Sequence, residues 1–184
     1  MRPDVENAIK EFKINTFGNK KNIERVEQMV DRNERVIFIT PTNAIIQFAN
    51  GDKKKALPGI FVLTDKRALF SYKALSDEYT ETFSLSEIKS VNSSGNGVSG
   101  GHIEIHTLVK SLDILVSYKK DIMQKILNTI RDTQNAFIAV CNAQSSANKE
   151  TNDLSQIEKL YDLLQKGIIT QEEFNTKKKQ ILGI

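Results

Sequence analysis

The chain has 184 residues, 39% hydrophobic and 27% charged, with 26 Lys and Arg against 23 Asp and Glu. Such a composition suits a folded globular protein of one ordinary domain plus a small appendage. Charges of both signs alternate along the chain, which excludes the concentrated positive field of a nucleic-acid binder, and a single cysteine, Cys141, excludes an intramolecular disulfide framework. One thiol suits a reducing compartment. The segment Met1-Arg2-Pro3-Asp4-Val5-Glu6 carries no apolar core of a signal peptide. No apolar run approaches the roughly 20 residues that span a bilayer, and a cytoplasmic location is expected.

Val5, Ile9 and Phe12 recur at helical spacing, predicting an amphipathic helix over residues 4–16 with Gly18 as its left-handed C-cap. Ile23, Val26, Met29 and Val30 predict a second helix over 21–33. Both are expected to pack on the domain behind them or on a second subunit. From Arg35 the period changes. Residues 36–39 and 44–48 are rich in β-branched and aromatic side chains and are interrupted at Pro41, which has no N–H for a ladder.

A polar loop over 50–55, with Lys53, Lys54 and Lys55, leads to the hairpin that organises the chain. Its strands are Ile60 to Leu63 and Ala68 to Tyr72, joined by Thr64-Asp65-Lys66-Arg67, with Asp65 expected to close the turn through its carboxylate. Two strands alone are marginal. Further strands are expected at 79–83, 88–91, 98–107 and 112–117, giving an antiparallel sheet or small barrel. Ile122, Ile126, Ile130, Phe137 and Val140 then form the apolar stripe of a helix over 119–143 that covers the sheet.

Residues 145–154 hold no apolar side chain larger than alanine until Leu154 and read as a flexible linker. Beyond it, Ile157, Leu160, Tyr161 and Leu164 make one face of a short helix that Gly167 ends. Thr170-Gln171-Glu172-Glu173 is a capping box for a second short helix carrying Phe174, Ile181 and Leu182.

Two stretches resemble known families. The run from Ile157 to Phe174, with its Gly167-Ile168-Ile169-Thr170-Gln171-Glu172-Glu173-Phe174 turn, resembles the short C-terminal domain called SHOCT over residues 155–184. Pro58-Gly59-Ile60-Phe61-Val62-Leu63-Thr64-Asp65-Lys66-Arg67-Ala68-Leu69-Phe70, followed by Ser84-Leu85-Ser86-Glu87-Ile88-Lys89-Ser90-Val91, resembles a bacterial PH-like domain over residues 35–144. The resemblance implies an α+β fold: a bent antiparallel sheet of about seven strands, closed at one end by the C-terminal helix. Residues 1–34 lie outside both.

His102, Glu104 and His106 alternate on one strand face. Residues four apart on a strand are separated by about 13 Å, while metal–nitrogen bonds are ~2.0–2.1 Å, so a solvated polar face is expected rather than a metal site. The Ser- and Gly-rich stretch 93–101 lacks the Gly-Lys-Ser/Thr ending of a phosphate loop and precedes a strand. Cys141 sits in the helical stripe, as a core thiol does. No nucleophile, base and carboxylate stand in a catalytic motif. No enzyme activity, cofactor or metal is therefore expected.

The expected function is a protein-binding or assembly module. Its partner is another protein or a second copy in a homo-oligomer, docked through Leu160, Leu164, Ile169 and Phe174 of the tail. Thirty residues in two short helices bury too little apolar surface to stand alone. The alternative is contact with a membrane surface or an anionic ligand through Lys53, Lys54 and Lys55. These lysines lack the K-x(n)-R-x-R pattern that the resemblance associates with headgroup binding.

Overall fold

A computed structural model describes residues 1–75, 77–96 and 98–182, with the side chains of 54–57 and 145–153 left aside. Chain order is α1 (Pro3–Glu11), α2 (Lys20–Glu27), β1 (Val36–Phe48), β2 (Lys53–Thr64), β3 (Arg67–Ala74), β4 (Asp77–Ser84), a 3-10 turn (Leu85–Glu87), β5 (Ser90–Asn96), β6 (Gly100–His106), β7 (Lys110–Val116), α3 (Lys120–Gln165) and α4 (Gln171–Leu182). Two compact units divide within α3, residues 1–138 and residues 139–184.

In the first unit the seven strands form one antiparallel sheet in the order β4-β3-β2-β1-β7-β6-β5. The central hairpin is the expected one, with Gly59 opposite Tyr72, Phe61 opposite Phe70 and Leu63 opposite Ala68. Its turn closes differently from expectation. Thr64 Oγ1 accepts the amides of Lys66 and Arg67 at 3.1 and 3.0 Å, while Asp65 Oδ1 accepts the amide of Arg35 at 2.9 Å. The hydroxyl stands one residue earlier, within reach of both turn amides, and leaves the carboxylate free to tie down the start of β1.

Strand faces explain the unbroken apolar runs. Phe61 and Leu63 point inward with Phe38, Phe70, Phe83, Ile103, Ile105, Leu112 and Ile114, and Ile126, Leu127 and Ile130 of α3 cover them. Ile60 and Val62 point outward with Ile39 and Leu69, beneath Val5 and Ala8 of α1 and Ile23 and Val26 of α2. A strand buried on both faces has no polar side to show, so it reads as Ile-Phe-Val-Leu. Residues 1–34 thus pack on their own domain. Arg2 and Asp4 fasten them: Arg2 donates to the carbonyls of Asp31 and Glu34, and Asp4 accepts the Val36 amide at 2.8 Å.

β1 runs through Pro41 without a break. It pairs with β2 along its length, but with β7 only from Ala44 to Phe48, so the missing N–H falls where β7 has already diverged. The expected loop over 50–55 shortens to Ala49–Asp52. Gly51 at φ 91° and the Asn50 side chain, accepting the Asp52 amide at 3.1 Å, tighten the turn, and β2 begins at Lys53.

α1 ends at Glu11 rather than near residue 16. Lys13 adopts φ 52°, its amide bonds Lys10 O, and the Ile14 amide reaches back to Ile9 O at 3.0 Å. This is a Schellman cap with lysine where glycine was expected further along; Gly18 lies in the next turn. α3 rests on β6 at Gly101, where a Cβ would stand 2.6 Å from Met123 Sδ. Its buried stripe runs from Met123 to Ile130 with Phe137 packed beside it, and Val140 is exposed.

The segment 145–154, expected as a flexible linker, is helical within α3. No proline or glycine occurs between Lys120 and Lys166. Its serines, asparagines and threonine weaken a helix by only a few tenths of a kcal/mol each, ~0.7 at most, and nothing in it stops one.

Candidate functional site

The tail, residues 139–184, is shaped by local signals. Gly167 at φ 67° gives its amide to Leu164 O, and Ile168 gives its amide to Leu163 O, both at 3.0 Å, which ends α3 in a second Schellman cap. The capping box forms as its spacing predicts. Thr170 Oγ1 accepts the Glu173 amide at 3.2 Å and Glu173 Oε2 accepts the Thr170 amide at 2.8 Å. That backbone hydrogen bond, followed by the one from the Thr170 hydroxyl, holds the Glu173 carboxyl below its ordinary range.

Between the two helices Phe174 is buried and meets Tyr161 edge-on, with ring centroids 6.3 Å apart. Phe174 is therefore the interior of the hairpin rather than part of an outer face. Leu160, Leu164 and Ile169 remain half-buried, while Tyr161 and Ile168 are 52% and 64% exposed. A groove of about 380 Å³ runs between Leu160 and Leu163 of α3 and Ile181 of α4, with Lys159 and Lys177 on its lining.

Lys53 is exposed at the first position of β2; the side chains of Lys54 and Lys55 lie outside the described residues. The turn before Lys53 is bonded to the turn between β6 and β7, where the Ala49 amide donates to Val109 O at 2.9 Å. Leu108 and Val109 in that second turn are 79% and 61% exposed. Sequence reading passed over this pair because two apolar residues in a short turn carry no periodicity.

Lys110 begins β7 and reaches β4: its ammonium contacts Glu81, the Thr82 carbonyl at 2.7 Å and the Phe83 ring at 4.6 Å. Tyr79 donates to Glu81 at 2.5 Å, and burial together with that carboxylate raises the phenol well above its ordinary range. These groups tie β7 to β4.

Ile103 and Ile105 point into the core, so His102, Glu104 and His106 face outward. His102 Nδ1 lies 3.0 Å from Asp113 Oδ1 across the β6–β7 pair, and His106 pairs with Glu104 at 3.3 Å. Among the described residues no cluster of three metal-ligating side chains occurs. Residues 93–96 and 98–101 belong to the β5–β6 hairpin, whose Asn96 Oδ1 accepts the amides of Val98 and Ser99 at 2.8 Å. Cys141 is half-buried on α3. Among the described residues no helix is long and apolar enough to cross a membrane.

Residues 155–182 match the family model described as the short C-terminal domain, SHOCT. Similar solved structures include the Vps36 N-terminal PH domain, at 13% identity and TM-score 0.42, covering 61% of this chain and 86% of that one. The Ran-binding domain of Nup2 from Ashbya gossypii is 14% identical at TM-score 0.44, covering 58% and 99%. A DUF1696 family protein with a pleckstrin-homology domain from Shewanella loihica is 14% identical at TM-score 0.40, covering 60% and 88%. No curated protein matches the chain. Seven antiparallel strands in that order, with α3 across their inner face, form the α+β architecture that the PH-like resemblance of the sequence implies, and residues 155–182 are a SHOCT domain.

Proposed function

We propose that the chain is a non-catalytic protein-binding and assembly module whose tail docks onto a second copy of itself. The observation that carries this reading is the tail's poor self-burial. Its two helices enclose Phe174 and leave Leu160, Leu164 and Ile169 half-buried, with Tyr161 and Ile168 exposed. A hairpin whose described residues include one buried side chain, Phe174, gains apolar burial by pairing. Light scattering of the full chain, before and after Leu160→Ser with Leu164→Ser, tests it. A drop in oligomer size with an unchanged sheet melt supports the reading; a monomer in both cases overturns it.

A second reading has its own observation. Exposed Leu108 and Val109 stand beside the turn that leads into Lys53, so apolar tips and a cation share one end of the sheet. Such an end suits an anionic membrane surface, where each buried CH₂ contributes ~0.8 kcal/mol and each nearby lysine ~1 kcal/mol. Sedimentation with phosphatidylserine vesicles at two salt concentrations tests it, and Leu108→Ser with Val109→Ser removes the binding if it exists.

A further inference from the structure

Where β1 and β7 part, beyond the Ala44–Ile114 pair, the first unit contains a cleft of about 600 Å³. That lies within the range of small-molecule sites, ~300–1,000 Å³. Its deep wall is apolar: Phe12, Phe38 and Ile126 are each at most 4% exposed, and Ile122 adds the first turn of α3. Phe12 meets Phe38 edge-on with ring centroids 4.7 Å apart. Among the described residues the charged ones lining it are Lys13 and Lys119, both exposed. The cations that ion-pair among the described residues are others: Arg2, Arg25, Arg67, Lys73, Lys110 and Lys125, with the two histidines beside their carboxylates.

Two features narrow the occupant. The β1 wall is a poor template for an added peptide strand. Pro41 has no N–H, Thr40 Oγ1 donates to Pro41 O at 3.1 Å, and Thr42 Oγ1 shares its proton between Asn43 O at 2.8 Å and Leu115 O at 2.7 Å. The second feature is Lys13, which occupies a left-handed cap where glycine would turn the chain with less strain. A strained non-glycine residue at the mouth of a cleft points to a use for its side chain.

We propose that this cleft binds a small amphipathic carboxylate, with its apolar body against Phe12, Phe38, Ile122 and Ile126 and its charge between Lys13 and Lys119. The site is separate from the tail and from the turn beside Lys53, so it stands or falls independently of both proposed functions.

The full chain is titrated with decanoate, decanol, acetate and decyltrimethylammonium while amide chemical shifts are followed. Decanoate is expected to saturate and to move amides of residues 13–15, 40, 42–43 and 115–122. Decanol, acetate and the cationic amphiphile are expected to bind at least ~10-fold more weakly, the loss that follows from removing one charge-assisted contact or the apolar body. Lys13→Glu with Lys119→Glu is expected to leave the thermal melt unchanged and to reverse the preference toward decyltrimethylammonium. Lys13→Gly keeps the cap and weakens decanoate. Lack of saturation, shifts confined to other residues, decanol binding as tightly as decanoate, or a charge-reversed variant that still prefers decanoate would each overturn the proposal.

Discussion

The sheet unit and the tail are stabilised by opposite means. In the sheet unit β1 to β3 are covered on both faces, by α3 inside and by α1 and α2 outside, and the contacts join residues far apart in sequence. In the tail the organising bonds span three to five residues: the Gly167 cap and the Thr170–Glu173 box. Buried apolar surface therefore supports the first, and backbone satisfaction at helix ends the second. Large side chains matter most in the sheet unit, and caps matter most in the tail.

Phe61→Ala should break the sheet unit most severely. Phe61 is fully buried between Phe38 and Phe70, and its truncation is expected to cost ~3–5 kcal/mol in chemical denaturation. Ile130→Ala, removing a fully buried contact from α3, should cost ~2–5 kcal/mol by the same measurement. A chain ending at Gln144 should still unfold cooperatively, because the buried stripe of α3 is complete by Phe137; loss of cooperativity would erase the contrast between the units.

Asp4 sharpens the comparison through pH. Burial works to raise its carboxyl, but hydrogen bonds from the Val36 amide and the Arg2 guanidinium, with Arg2's charge and the Val5 amide, together hold it below its ordinary value. A carboxyl lower in the folded than in the unfolded chain stabilises fully above the unfolded value near ~3.9. The contribution disappears as pH falls through the folded value. Asp4→Asn should therefore cost ~1.5–3 kcal/mol at neutral pH, the scale of a charged hydrogen bond, and flatten the acid limb of the sheet unit's melt. The smallest effect is Thr170→Ala. Loss of the cap should cost ~0.5–2 kcal/mol, seen as faster amide exchange within residues 155–182 while the sheet unit's melt stays unchanged.

Local signals were legible in the sequence where one residue type does one job. The Thr170–Glu173 spacing, Gly167 and the Ile60–Leu63 and Ala68–Tyr72 strands needed no knowledge of the rest of the chain. Readings failed where a distant partner decided the outcome. Thr64 closes the central turn, while Asp65 accepts the amide of Arg35, a residue 30 positions away. The 145–154 segment has a linker's composition, but weak helix formers without a breaker continue a helix already nucleated. The cleft was invisible because it arises from the register at which β7 leaves β1, and register is a property of two strands together. Lys13 gave no signal because helix-end rules look for glycine.

The two outermost strands, β4 and β5, are eight and seven residues long. Asp77, Glu78 and Glu81 place three acids along β4, and Arg25 of α2 reaches over it to Glu78 at 2.9 Å. Beside β5, Arg131 of α3 donates to the Val91 carbonyl at 2.7 Å and Gln134 to the Ile88 carbonyl at 2.7 Å. Like charges along an edge and occupied carbonyls beside it are means by which sheets resist zipping onto their neighbours. A sheet edged this way resists fusing with a neighbour's sheet into a fibril even when the chain is highly concentrated.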